Sequence, residues 1–186
     1  MKNSQKLVLS AFLIAIGMVL PFFTGQVPYV GNVLLPMHIP VFSCGLICGG
    51  QYGLAVGVVL PFLRSVVFGA PIMYPTAIAM AFELGTYGAI SGFLFTKAKW
   101  QCIKSLYRCM ITAMLGGRLV WGLVMVFILG IGAKGFTLQM FLAGAFINAI
   151  PGIILQLVLV PAVMLALHKT HLVPMRRGEH HEHHMA

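Results

Sequence analysis

Apolar runs, broken by short polar or Gly- and Pro-rich stretches, set the pattern of this chain. A helix that crosses a bilayer needs about 20 mostly apolar residues. Six runs answer that description: Leu7 to Phe23, Ile39 to Gly50, Tyr52 to Gly69, Thr76 to Thr96, Leu106 to Gly132 and Leu138 to His168. The second is short unless its flanks join it. The last two are long enough to tilt or to extend past the hydrocarbon. The pattern predicts an all-α membrane protein with six transmembrane helices, residues 1–170 forming the membrane domain and 171–186 a basic, His-rich tail. No internal repeat with a period of about 20–50 residues is visible, which argues against an inverted-repeat transporter.

Composition sharpens the picture. Of 186 residues, 60% are hydrophobic and only 8% charged, where a soluble domain carries about 25% charged residues. That is too little charge for a water-exposed surface and too much hydrophobicity for disorder. Lys and Arg number 12 against 3 acids, for a net charge of +9. The excess would suit nucleic acid, but these cations lie between apolar runs and read as topology signals. With the N-terminus inside, Lys2, Lys6, Lys97, Lys99, Lys104, Arg108, Lys169, Arg176 and Arg177 fall on the inner side, and Lys134 on the outer. The asymmetry places both termini in the cytoplasm, with Trp100 and Tyr107 suited to an interfacial belt. The first run follows a basic start, as a signal peptide does, but no small-x-small cleavage pattern follows Phe23, so a retained helix is expected.

The chain has no Asp, and two of its three Glu, Glu179 and Glu182, lie in the tail. Aspartyl proteases and metal-dependent head-group transferases are thereby excluded, since both need Asp. No GxxxxGK[ST] phosphate loop is present. Cys44, Cys48, Cys102 and Cys109 form no CxxC pair and read as small hydrophobes rather than metal ligands. The run His180-His181-Glu182-His183-His184 lacks fixed metal-site geometry and is assigned no function. No cofactor or metal is expected.

Small residues recur every four positions. Gly45 and Gly49 share a face of the second helix, Gly53 and Gly57 of the third, and Ala77, Ala81, Gly85 and Ala89 of the fourth. Such stripes let helices approach closely in lipid. Ala11 and Ala15 make the same pattern in the first helix, where the choice is internal packing or docking to another membrane subunit.

Ionisable residues inside spans cost about 2.5–3.5 kcal/mol at a helix centre on insertion scales and usually face a bundle interior or cavity. Here they are Arg64, Glu83 and Arg118, joined by the polar Asn148 and Gln156. Thr76, Glu83 and Tyr87 fall on one helix face, with Thr86 beside them and the small-residue stripe nearly opposite. That division suits a pocket-lining helix. The alternative is a structural Glu83–Arg118 pair that clamps two helices. Counting at ~1.5 Å per residue puts Glu83 about 12 Å, Asn148 about 15 Å and Arg118 about 20 Å below the outer ends. Trp121, one turn from Arg118, can stack on its guanidinium or on a ligand ring. Pro151 should kink the sixth helix near Asn148. Two Arg against one Glu leave a surplus cation that a carboxylate ligand could complete, unless Arg64 snorkels to lipid head groups. The outer connection from Thr24 to His38, which holds Tyr29 and Asn32, can fold down as a lid or be a plain surface loop.

The segment Leu35-Pro36-Met37-His38-Ile39-Pro40-Val41 resembles the start of the second helix in substrate-binding S components of energy-coupling factor (ECF) vitamin transporters. The likeness continues through Gly49-Gly50-Gln51-Tyr52-Gly53, through Leu60-Pro61-Phe62-Leu63-Arg64-Ser65, and from Pro75-Thr76-Ala77 to Glu83. Ala11-x-x-x-Ala15 looks like the family's first-helix AxxxA motif. The resemblance implies a multi-pass protein of the bacterial plasma membrane. Such a protein binds a vitamin from outside, then joins a membrane T component and two ATPases and topples to release its cargo. It implies that Ala11 and Ala15 meet the T component. It also implies a pocket in the outer half, under the lid, built from Glu83 and its face, Arg118 and Asn148. No His lies near the N-terminus, unlike nickel and cobalt S components. The surplus cation favours an acid such as pantothenate or folate, and the PMHIPV segment looks like the pantothenate branch. Substrate contacts are therefore expected from Glu83, Arg118, Asn148, Tyr87, Thr76, Trp121, Arg64, His38 and Asn32.

Two other classes compete. An intramembrane enzyme would have to use His38, Glu83 and Ser91, but the rhomboid GxSG pattern fails at Ala89 and no HExxH is present. A membrane scaffold protein would use its buried charges only to clamp helices.

Overall fold

The computed structural model describes residues 2–25, 36–98, 102–130, 137–144 and 149–169, and every regular element among them is helical. In chain order they are α1 (Asn3–Gly25), α2 (His38–Cys48), α3 (Gly50–Phe68), a wide π-type turn (Met73–Ala77), α4 (Ile78–Lys97), α5 (Ile103–Leu129), α6 (Leu138–Leu142) and α7 (Ile150–Lys169). Five stretches are long and apolar enough to cross a membrane: Asn3–Pro21, Gly50–Phe68, Met73–Lys97, Ile103–Leu129 and Ile150–Lys169.

Two expected spans take a different form. α2 has 11 residues, about 16 Å of helix at ~1.5 Å per residue, roughly half the hydrocarbon thickness. All but Ile47 are buried, so α2 is a short helix wrapped by its neighbours rather than a span by itself. A helix apolar on every side belongs in such an interior position. In the run from Leu138 to His168 the described residues give two elements, α6 and α7, with residues 145–148 between them outside the described residues. Pro151 stands in the first turn of α7, where its missing N–H has no helical partner to lose, so it opens a helix rather than kinking one.

α4 is the central helix and packs on α2, α3 and α5. Small residues make this possible. A Cβ added at Gly53 would lie 2.6 Å from Gly45 Cα, and one added at Gly88 would strike the Gly53 carbonyl. The α4 side of this contact runs through Gly85, Gly88 and Gly92, which widens the stripe expected from Ala77, Ala81, Gly85 and Ala89. Gly49, at φ +101°, makes the turn from α2 into α3 by itself.

Two apolar clusters flank α4. One joins Phe42, Leu46, Tyr87, Met110, Met114, Val160 and Met164; the other joins Leu13, Val41, Cys44, Val56, Leu60 and Leu84. Cys44 and Cys48 are buried free thiols within the packing. Among the described residues no cluster of metal-ligating side chains occurs.

Proline inside α7 exposes a further tie. Pro161 lacks the N–H that would bond the carbonyl of Leu157. The Tyr107 hydroxyl of α5 donates to that carbonyl at 3.1 Å, so the vacancy is filled from the neighbouring helix. The start of α1 lies beside the α2–α3 turn, with Lys6 Nζ 5.9 Å from the Tyr52 ring centre. This is the basic end of the bundle. At the opposite end the chain leaves α1 and α3 and enters α2 and α4.

Candidate functional site

That opposite end holds a cavity of about 430 Å³, within the range of small-molecule sites. Pro21 from the end of α1, Met37 and His38 from the start of α2, Arg64 near the end of α3, and Thr76 and Met80 from the entry to α4 line it, with Pro36 and Ala70–Ile72 between them. Arg64 is half-buried. Its Nη1 donates to the Met18 carbonyl at 3.0 Å, and its guanidinium carbon lies 5.7 Å from the Phe68 ring centre. Pro21 removes the helical partner of the Gly17 carbonyl nearby. The local break in α1 and the Arg64 hydrogen bond thus meet at the cavity wall. Among the described residues of the lining, Arg64 is the one Lys, Arg, Asp or Glu.

Below this lining lies a buried polar cluster. Met80 is three residues from Glu83 on α4, hence on the same face. Arg118 Nη1 is 2.8 Å from Glu83 Oε1, and the Tyr87 hydroxyl donates to the same oxygen at 2.8 Å. His38 Nε2 is 3.8 Å away from it. Glu83 is 2% exposed, Tyr87 1%, Arg118 7% and His38 0%. The Tyr87 ring packs against both the His38 and the Phe42 ring, at centroid distances of 5.2 Å to each. Gly117 makes room for it, since a Cβ there would strike the Tyr87 ring. Among the described residues, buried polar atoms without a hydrogen bond include Nδ1 and Nε2 of His38 and Nε of Arg118 in this cluster, and Nε2 of Gln156 on α7.

The residues singled out from the sequence therefore fall into separate places. Arg64, His38 and Thr76 share the cavity wall. Glu83, Arg118 and Tyr87 form the cluster beneath, where the ion pair takes the helix-clamping geometry that stood as the alternative to direct pocket lining. Trp121 stacks on Phe141 of α6 at 6.2 Å rather than on Arg118. Asn32, Asn148 and most of the Thr24–His38 connection lie outside the described residues, as do Trp100 and the tail. Ser91 donates to the Tyr87 carbonyl at 2.6 Å, eight residues along the helix from Glu83, so its hydroxyl is spent on backbone. Met37, Met80, Pro21 and Gly117 were not foreseen. Pro21 alone carries a sequence signal, being a proline inside an apolar run.

The model of the family described as "ECF transporter, substrate-specific component" matches residues 5–164. The chain belongs to this family. It is a substrate-specific subunit of an ECF transporter and a multi-pass membrane protein. No curated protein and no solved structure matches it. The matched stretch takes in every residue of the cavity lining and of the buried cluster. Among the described residues, the cavity of this substrate-specific component combines one guanidinium, one imidazole, one hydroxyl and apolar Met, Pro, Ala and Ile groups. Such a surface can fix an anionic head and cover an aliphatic body.

Proposed function

We propose that this subunit captures a small water-soluble carboxylate vitamin from the outer face of a bacterial plasma membrane, pantothenate before folate. It then delivers the vitamin inward by toppling against a T component driven by two partner ATPases. One observation carries the reading: the cavity wall holds the Arg64 guanidinium and, among the described residues, no carboxylate. Arg binds carboxylates through paired N–H donors. The positive-inside asymmetry puts the basic end in the cytoplasm and the cavity outside. Folate would need a platform for its fused ring, and the described lining offers no Phe, Tyr or Trp.

Arg64, Thr76 and His38 are assigned to the ligand directly. Glu83, Arg118 and Tyr87 are assigned to holding α4 and α5 under it. Ala11 and Ala15, both exposed on α1 beside exposed Val8, Phe12 and Val19, are assigned to the T component. Mass spectrometry of the small molecule that copurifies with the chain tests the reading, followed by calorimetric titration with pantothenate and with folate. A saturable, tight site for pantothenate is expected. Copurification of a cationic vitamin such as thiamine would overturn the carboxylate assignment.

A further inference from the structure

His38 belongs to two places at once. It stands on the cavity wall with Arg64 and Thr76, and its Nε2 is 3.8 Å from Glu83 Oε1. The side chain is wholly buried, yet neither ring nitrogen has a hydrogen-bond partner among the described residues. A neutral imidazole has a donor on one nitrogen and an acceptor on the other. Folded proteins seldom leave both unmet in a buried site. The separation from Glu83 exceeds the usual N–H···O limit of about 3.2 Å by only a fraction of an ångström. Nε2 is therefore close to the ion pair, and Nδ1 has no partner among the described residues.

We infer that His38 is a positioning residue that links the cavity's occupant to the Glu83–Arg118 pair, and that the occupant is a carboxylate that also carries a hydroxyl. The inference rests on the cavity being the substrate site. The carboxylate pairs with Arg64. The hydroxyl, free to rotate, donates to Nδ1. That bond selects the tautomer with its proton on Nε2, because the partner of one ring nitrogen decides the state of the other. Nε2–H then donates to the Glu83 carboxylate, which already accepts from Arg118 and Tyr87. No proton is gained or lost. His38 is on α2, Glu83 on α4 and Arg118 on α5, so one ligand contact ties three helices together.

The test is titration of the full chain in detergent with two probes, pantothenate and its dideoxy analogue, which lacks both hydroxyls. The analogue should bind at least about tenfold more weakly to the unaltered chain. His38→Leu should weaken pantothenate by a similar factor and the analogue far less. His38→Gln, whose amide can accept from the ligand and donate to Glu83, should restore most of the loss. In ¹⁵N spectra of the histidine-labelled chain, pantothenate should drive one ring to the Nε2–H tautomer. The analogue should not, and the signal should vanish in His38→Gln. Equal binding of both probes to the unaltered chain overturns the inference but leaves the substrate reading standing, and needs no variant to fold. Full pantothenate affinity in His38→Leu, or an unchanged spectrum, does the same. Failure of the unaltered chain to bind pantothenate overturns the substrate reading and this inference with it.

Discussion

Arg118 reaches across from α5 to Glu83 on α4 with an Nη1–Oε1 distance of 2.8 Å, and both side chains are almost wholly buried. Two opposite charges of the membrane interior thus satisfy each other. A buried pair adds little net stability over well-packed apolar residues, but removing one partner strands the other and costs about 3–5 kcal/mol. Glu83→Leu and Arg118→Met should each lower the unfolding free energy in detergent by about that amount. The double variant should lose much less than the sum of the two. Singles as stable as the unaltered chain would show that the pair holds nothing.

The pair depends on a glycine one residue earlier in α5. A methyl group at Gly117 would occupy the place of the Tyr87 ring, and that ring carries the hydroxyl bound to Glu83. Overpacking of this kind costs about 1–3 kcal/mol. Gly117→Ala should therefore destabilise by that amount, while Gly116→Ala on the adjacent position should do so less, because only the end of the Ile90 side chain stands close there. Thermal unfolding of the two variants side by side decides it.

Much of this architecture is legible in the residues. Apolar runs mark where α1, α3, α4, α5 and α7 lie, because lipid demands long apolar helices with their backbone bonded internally. Helical spacing also puts Glu83 and Tyr87 on one face, and they do bond. The rest needs tertiary information. α2 looks like a failed span by length, and only its neighbours show why a short helix suffices. Arg64 reads from the sequence as a snorkelling residue or a ligand contact, and only the fold shows that it lines one cavity with the end of α1 and the starts of α2 and α4. The cavity is built from chain entries and exits, which carry no periodic signal.

Tyr107 and Pro161 offer a cleaner test of helix pairing. The proline leaves the Leu157 carbonyl without its helical donor, and the Tyr107 hydroxyl replaces it at 3.1 Å. The bond is only part-buried, and a typical intramolecular hydrogen bond contributes about 0.5–1.5 kcal/mol. Tyr107→Phe should lower stability by roughly this much in unfolding measurements. With Pro161→Ala in the background, the helix supplies its own N–H and the same Tyr107→Phe change should become nearly neutral. Equal losses in both backgrounds would show that the hydroxyl is not filling the proline's vacancy.

For ligand capture, the guanidinium of Arg64 is the group to remove. Hydrogen bonds to charged groups contribute about 1.5–3 kcal/mol, which corresponds to roughly 10- to 150-fold in affinity. Arg64→Ala should weaken pantothenate by a factor in that range. Arg64→Lys should recover part of the loss only, since an ammonium is a point charge without the planar fork that grips a carboxylate. Calorimetric titration measures both. Unchanged affinity in Arg64→Ala would remove this residue from the site.

The docking proposed for Ala11 and Ala15 is separable from binding, because neither residue is in the cavity lining. Both are exposed and small, so a partner helix can come close to the α1 backbone there. Ala11→Trp with Ala15→Trp should leave pantothenate titration of the isolated chain unchanged and abolish vitamin uptake by cells carrying the whole transporter. The matching control is Leu119→Trp with Leu123→Trp on α5, where the native side chains are 61% and 69% exposed. That pair adds comparable bulk to an apolar surface and should leave uptake intact. If uptake survives the α1 pair, the docking face lies elsewhere. If it is lost with both pairs, added bulk in the membrane, rather than this face, accounts for the loss.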